Sequence, residues 1–197
     1  MKRVLITGAN SFVGVNVEKW LLQIPGEFIV ETVDTMNEAW KKADFAKYDV
    51  VFHVAGIAHV DPKPKIAPLY YKVNRDLTIE IAKWAKTHGV KQFIFMSSKI
   101  VYHASKSLKG DVITENTKPH PNDFYGDSKL QAENGLRKLE SSSFKVALLR
   151  PCMIYGLGNK GNLPRLAWLA TKTPIFPAWH NNCLLYTSPS PRDISGS

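Results

Sequence analysis

A chain of 197 residues is long enough to enclose one well-buried domain, and an apolar share of 44% with five tryptophans argues for a packed core rather than disorder. The net charge of +9 comes from scattered basic residues with no nucleic-acid motif, so it reads as a solvated surface, the sharper alternative being attraction of an anionic substrate. No apolar run reaches the ~18–20 residues of a membrane span, and Cys152 and Cys183 supply neither a disulfide framework nor metal-ligand spacing; a reducing cytoplasm is the expected compartment.

Apolar runs then alternate with helical patterns. Val4–Thr7 predicts a first strand; polar Thr7, Asn10 and Ser11 break the run too early for a signal peptide. Phe12 to Gln23 has helical spacing through Phe12, Val13, Val17, Trp20 and Leu21. Phe28–Val33 predicts a second strand and Asp49–Val54 a third. The passage from Thr35 to Tyr48 is too short for a full helix–strand–helix excursion, so Met36–Ala46 is expected to form a helix of only two or three turns. Leu69 to His88 predicts a long amphipathic helix carrying Val73, Leu77, Ile81, Ala82 and Trp84, stopped by Gly89. Gln92–Ser97 predicts a strand, Phe124–Leu139 a helix and Lys145–Arg150 a last strand. The strand runs are continuously apolar, as in a parallel sheet covered on both faces. The fold class is therefore α/β: a doubly wound parallel sheet, or Rossmann fold.

Between the first strand and the first helix stands Thr7-Gly8-Ala9-Asn10-Ser11-Phe12-Val13-Gly14. In that context glycines build a dinucleotide turn: Gly8 permits the tight bend, Gly14 lets the helix approach the sheet, and the helix N-terminus offers N–H groups to a pyrophosphate. Asn10, Ser11, Phe12 and Val13 complete the candidate phosphate-binding turn; Ser11 stands where glycine is usual, and its hydroxyl can donate to phosphate. Asp34 ends the second strand, where a carboxylate reads the ribose 2′-hydroxyl and repels a 2′-phosphate, favouring NAD over NADP.

Tyr125 and Lys129, four apart at the start of a helix, share one face. An ammonium beside a phenol is expected to lower the phenol's pKa, readying it to take a proton from a sugar hydroxyl, while Lys129 also reaches the nicotinamide ribose. Ser98 ends a strand, on the side where ligands of parallel sheets sit, and is placed to hydrogen-bond the reacting oxygen.

Taken in order, Gly8 with Gly14, Asp34, His53-Val54-Ala55-Gly56, Asn74, Ser97-Ser98 with Val101-Tyr102, Tyr125-Gly126 with Ser128-Lys129, and Arg150-Pro151 with Tyr155-Gly156 resemble the extended short-chain dehydrogenase/reductases, the NAD-dependent epimerase/dehydratase family, over residues 2–182. The resemblance implies NAD as cofactor and Ser98, Tyr125 and Lys129 as the catalytic triad, supported by Asn74. It implies that Val54, Ala55, Gly56, Ser97 and Pro151 border the cofactor, that His53 is a packed strand residue, and that Asn162 and Leu163 touch the substrate diphosphate. The implied substrate is a nucleotide-diphosphate sugar and the implied reaction C4 epimerisation. Lys99 and Ile100 stand where the related dehydratases carry an Asp-Glu pair, which argues against dehydration. The triad would serve a reductase equally, whereas a non-catalytic NAD-binding relative would usually lack the Tyr or the Lys. His103 replaces the glycine usual after Val-Tyr, and no adenine-contacting aspartate is matched, Asp44 fitting poorly. A homodimer stays open for the complete enzyme.

From Cys183 the composition turns to Ser and Pro without period. A flexible tail is one reading; the run also resembles the translation of a transposase sequencing adapter. Residues 1–182 are therefore read as the NAD-binding domain with the start of a substrate lobe, and 183–197 as non-native or disordered. The natural chain is expected to continue past Asn182, and the 197-residue chain to turn over poorly.

Overall fold

The computed structural model describes residues 1–58, 64–102, 112–152, 154–156, 158–159, 168 and 171–172. Five strands, β1 (Lys2–Thr7), β2 (Phe28–Val33), β3 (Val50–His53), β4 (Gln92–Met96) and β5 (Lys145–Leu149), form one parallel sheet in the order β2-β1-β3-β4-β5. Successive side chains point to opposite faces. Leu5, Val51, Phe93 and Phe95 belong to one core, whereas Val4, Ile6, Val50 and Phe52 belong to the other. Helix α1 (Phe12–Leu21) covers the second face through Val13, Val17 and Leu21. The first is covered by α3 (Thr78–Thr87), which follows the short α2 (Ala67–Tyr70), and by α4 (Phe124–Arg137), with Ile81, Ala85, Ala132 and Leu136 buried between helices and sheet. Both faces are thus wound, as the apolar runs imply. The chain leaves β1 to one side for β2 and returns to its other side for β3, so the carboxyl ends of β1 and β3 border the crevice where such sheets bind ligands.

Three details depart from the sequence expectation. The Met36–Ala46 passage forms no α-helix; it makes two 3-10 turns, Met36–Lys42 and Phe45–Lys47. The tighter winding spans the crossover with few residues and drives Trp40 and Phe45 fully into the core. Trp40 meets the ring of Trp84 edge-on, with centroids 5.9 Å apart, and Lys41 ties the turn to α3 through Glu80 at 2.9 Å. The long helix is interrupted: between α2 and α3 lies a π-helical segment, Tyr71–Leu77. Gly89 ends α3 region as expected, with φ of +81°. Finally, Trp20 shares the helical spacing of α1 yet is 62% exposed, because Val13, Val17 and Leu21 already fill the contact with the sheet.

The abbreviated crossover depends on the bulk of Trp40 rather than on its indole N–H, which finds no hydrogen-bond partner among the described residues. Trp40→Ala is expected to cost about 3–5 kcal/mol and Trp40→Phe less than about 1.5 kcal/mol, read from denaturant midpoints; equal losses would contradict this.

Candidate active site

The glycine turn is built by close backbone approach. At Gly8 (φ +101°) an added Cβ would lie 2.8 Å from the backbone N of Ala55, so only glycine lets the end of β1 rest on the chain leaving β3. The N–H groups of Gly8 and Ala9 donate to the Val33 carbonyl at 2.9 and 3.2 Å, which brings the end of β2, and Asp34 after it, beside the turn. Asp34 is exposed and accepts from the Met36 N–H at 2.9 Å through one of its oxygens. Asn10 takes a positive φ of 65° and is exposed. Ser11 caps α1, its hydroxyl oxygen accepting from the Gly14 N–H at 3.1 Å, and its own hydrogen stays available to a ligand. A Cβ on Gly14 would meet that oxygen at 2.8 Å. Phe12 and Val13 open the helix, where N–H groups have no intrahelical partner, and with Ser11 they line a crevice of about 560 Å³.

Ser98, Tyr125 and Lys129 line the same crevice from the opposite side, together with Val54, Gly56, Ser97 and Pro151. Ser98 begins a 3-10 turn, Lys99–Val101, capped by its own hydroxyl, which accepts from the Ile100 N–H at 3.3 Å. Tyr125 lies in the first turn of α4, whose N-cap Asp123 accepts from the Gly126 N–H at 2.6 Å. The two meet because Gly126 has no side chain: a Cβ there would sit 2.6 Å from the Ile100 carbonyl oxygen. The Ser98 hydroxyl and the Tyr125 phenol thus line the same crevice as neighbours.

Burial pushes the Tyr125 phenol above its ordinary pKa, and the neighbouring Ser98 hydroxyl pulls the other way without cancelling it. This corrects the expectation of a phenol lowered by Lys129. The ammonium turns instead to the Met96 carbonyl, donating at 2.9 Å, and lies 4.6 Å from the centre of the Phe95 ring. Burial lowers the Lys129 pKa to about 8, opposed by the negative charge of Glu133.

Asn74 sits fully buried in the π segment. Its amide nitrogen donates to the Ile57 carbonyl at 3.1 Å and to the Ser128 hydroxyl at 3.2 Å, and its amide oxygen accepts from the Ile57 N–H at 2.9 Å. It thus fixes the chain after Gly56 without lining the crevice. A Cβ on Gly56 would approach the Asn74 amide oxygen to 2.9 Å and the Lys129 nitrogen to 3.2 Å. Ala55 is buried beneath Gly8, and His53 is buried between Phe93 and Phe95. Asn162, Leu163, His103 and the stretch 183–197 lie outside the described residues.

One cluster escapes the sequence reading. Ser97, expected to border the cofactor, spends its hydroxyl on the buried Glu133 carboxylate, donating at 2.5 Å. Arg150 grips both oxygens of Glu133, the Nε bond measuring 2.9 Å, and also donates to the Tyr102 hydroxyl. The only hint in the sequence is that Glu133 falls one helical turn beyond Lys129. The cluster ties the ends of β4 and β5, the 3-10 turn and α4 together beneath Ser98 and Lys129.

A sequence model of the NAD dependent epimerase/dehydratase family matches residues 4–172, and the chain belongs to that family. It is 34% identical over 192 residues to a UDP-glucose 4-epimerase of Vibrio cholerae, covering 87% of this chain and 57% of the relative. It is 30% identical over 179 residues to the N-acetyl-alpha-D-glucosaminyl-diphospho-ditrans,octacis-undecaprenol 4-epimerase of Escherichia coli O157:H7, covering 83% and 52%. The chain therefore spans about half the length of these curated relatives. Among solved structures, MoeE5 in complex with UDP-glucose and NAD superposes with a TM-score of 0.71 at 24% identity, over 87% of this chain and 61% of that one. The UDP-Glc/GlcNAc 4-epimerase of Campylobacter jejuni gives 0.66 at 22%, over 87% and 62%. At that identity the two structures establish the shared Rossmann fold.

Two outcomes are expected from this geometry. Between about 8 and the ordinary 10.5 of a free ammonium, folded Lys129 has shed a proton that the unfolded chain keeps. Stability should therefore rise with pH across that window, and Lys129→Met should remove this part of the slope, read from unfolding midpoints. Glu133→Ala leaves Arg150 without its buried partner and is expected to cost about 3–5 kcal/mol, checked in the same unfolding experiment.

Proposed function

We propose that the protein is an NAD-dependent nucleotide-sugar epimerase that inverts the C4 carbinol of a UDP-hexose. The convergence of Ser98, Tyr125 and Lys129 on one crevice with the glycine turn carries this reading.

The residues present fit NAD. Gly8 lets the end of β1 rest on the chain leaving β3 and so shapes the turn, Ser11 keeps a hydroxyl hydrogen, and Phe12 and Val13 offer N–H groups at a helix N-terminus to a pyrophosphate. The second oxygen of Asp34 makes no hydrogen bond among the described residues, so it suits a ribose hydroxyl and repels the 2′-phosphate of NADP. Asn10 holds the shape of the turn. Val54, Gly56 and Pro151 would flank the nicotinamide end; Ala55 and Ser97 would act from beneath it. When bound, NAD would supply a reversible hydride acceptor beside the sugar carbon, so that no net redox change results.

The chain's own part is proton handling. Tyr125 accepts the C4 hydroxyl proton and gives it back after the 4-keto sugar has turned over. Ser98 donates to the reacting oxygen, which keeps that oxygen within reach of Tyr125. Lys129 holds the nicotinamide ribose, and the positive charge of oxidised NAD would offset the rise that burial imposes on the Tyr125 phenol.

Incubation with NAD and UDP-glucose, followed by NMR of the sugar, should yield the C4 epimer with no net NADH formed. Tyr125→Phe should lower the rate on the order of 10²–10⁴-fold without weakening NAD binding. Stoichiometric NADH consumption on a keto sugar would replace the epimerase reading with a reductase.

A further inference from the structure

We infer that His53, a buried residue outside the crevice, is a positioning residue that orients Asn74 through a hydrogen-bond chain of fixed direction. The inference rests on the crevice being the NAD site.

The direction follows from counting protons. The Thr78 hydroxyl donates to the Asn74 carbonyl at 2.9 Å, and a hydroxyl has a single hydrogen to give. Towards His53 Nε2, 2.9 Å away, the same oxygen must accept, so Nε2 carries the proton. Nδ1 of the neutral ring is then bare and accepts from the Thr7 hydroxyl at 2.6 Å. The ring is kept neutral by burial, which with the nearby Lys129 charge lowers its pKa to about 3. Stacking on Phe93 and Phe95 at 5.7 and 5.9 Å holds the plane of the ring, and the two threonine hydroxyls fix which edge faces which way.

The two ends of the chain show what it is for. Thr7 directly precedes Gly8, so one end is anchored in the strand that delivers the glycine turn. The other end is the Asn74 carbonyl, inside the π segment. The wide turn displaces backbone carbonyls from regular α-helical pairing, and the Thr78 hydroxyl supplies the Asn74 carbonyl with a partner. That segment turns the Asn74 amide inward to grip Ile57 on both sides and to reach Ser128, whose hydroxyl donates to the Tyr125 carbonyl. His53 thereby ties the glycine turn to the crevice wall at Gly56–Ile57 and to the helix bearing Tyr125.

Three variants separate positioning from bulk. His53→Gln keeps a donor near Nε2, whereas His53→Asn keeps only an acceptor near Nδ1; Thr78→Val removes the hydroxyl from the chain. Nitrogen-15 NMR of the wild type should show a neutral ring with the proton on Nε2 across about pH 5–8. A ring protonated on Nδ1, or charged, overturns the inference. Amide exchange at Ile57, taken relative to Phe95 in the sheet, should accelerate about 2- to 10-fold in His53→Asn and Thr78→Val and stay near wild type in His53→Gln. NAD affinity should fall in the same two variants. Equal effects of Asn and Gln, or proportionate acceleration at Ile57 and Phe95, would mean that the ring only fills space, and would overturn it. If the Ile57 pattern holds while the wild type binds no NAD, the cofactor reading fails and the positioning of Asn74 stands.

Discussion

An ammonium taken out of water must be compensated on every side, and the site is organised around how this is done for Lys129. The Met96 carbonyl accepts its hydrogen bond, the face of Phe95 lies beneath it and the charge of Glu133 stands one turn along the same helix. Each compensating group comes from a different constraint. Met96 ends a strand, so the ammonium marks the carboxyl edge of the sheet; Glu133 is itself held by Arg150, so the last strand is drawn into the same arrangement. A lysine so fixed brings Tyr125, on its own helix, to Ser98 at the start of the neighbouring 3-10 turn.

The core of this arrangement was legible because it is local in sequence. The glycine turn is eight consecutive residues, Tyr125 and Lys129 share a helix face by spacing alone, and Ser98 ends an unmistakable apolar run. The parallel sheet was legible for a related reason: strands buried on both faces carry no alternation, and β2 has the limits its apolar run implies. Asn74 was legible only through family resemblance, since an isolated polar residue in a helical pattern carries no sign of its partners.

What escaped is what depends on distance in the chain. Ser97, Tyr102, Glu133 and Arg150 come from four separate elements, and nothing in their individual contexts announces that they meet. The phenol's direction of shift was misjudged for a like reason: a four-residue spacing puts two side chains on one face without saying which way the longer one turns. Lys129 turns to a backbone carbonyl, and burial then decides the phenol's behaviour. The crossover after β2 was rightly read as short, but periodicity could not tell an α-helix from 3-10 turns packed around Trp40.

The π segment between α2 and α3 has a bearing on how this chain can change length. A π turn holds one residue more than the α turn it replaces, so losing any one residue from Tyr71–Leu77 would restore regular winding. The α turn closes the same rotation with one residue fewer, so α2 and α3 would keep their relative facing while the residues inside the segment would be displaced. Asn74, which the wide turn sets inward, would lose its place against Ile57 and Ser128. The helix could thus shed a residue here and remain a helix, and what it would forfeit is the one buried amide that the extra residue sets against the crevice wall.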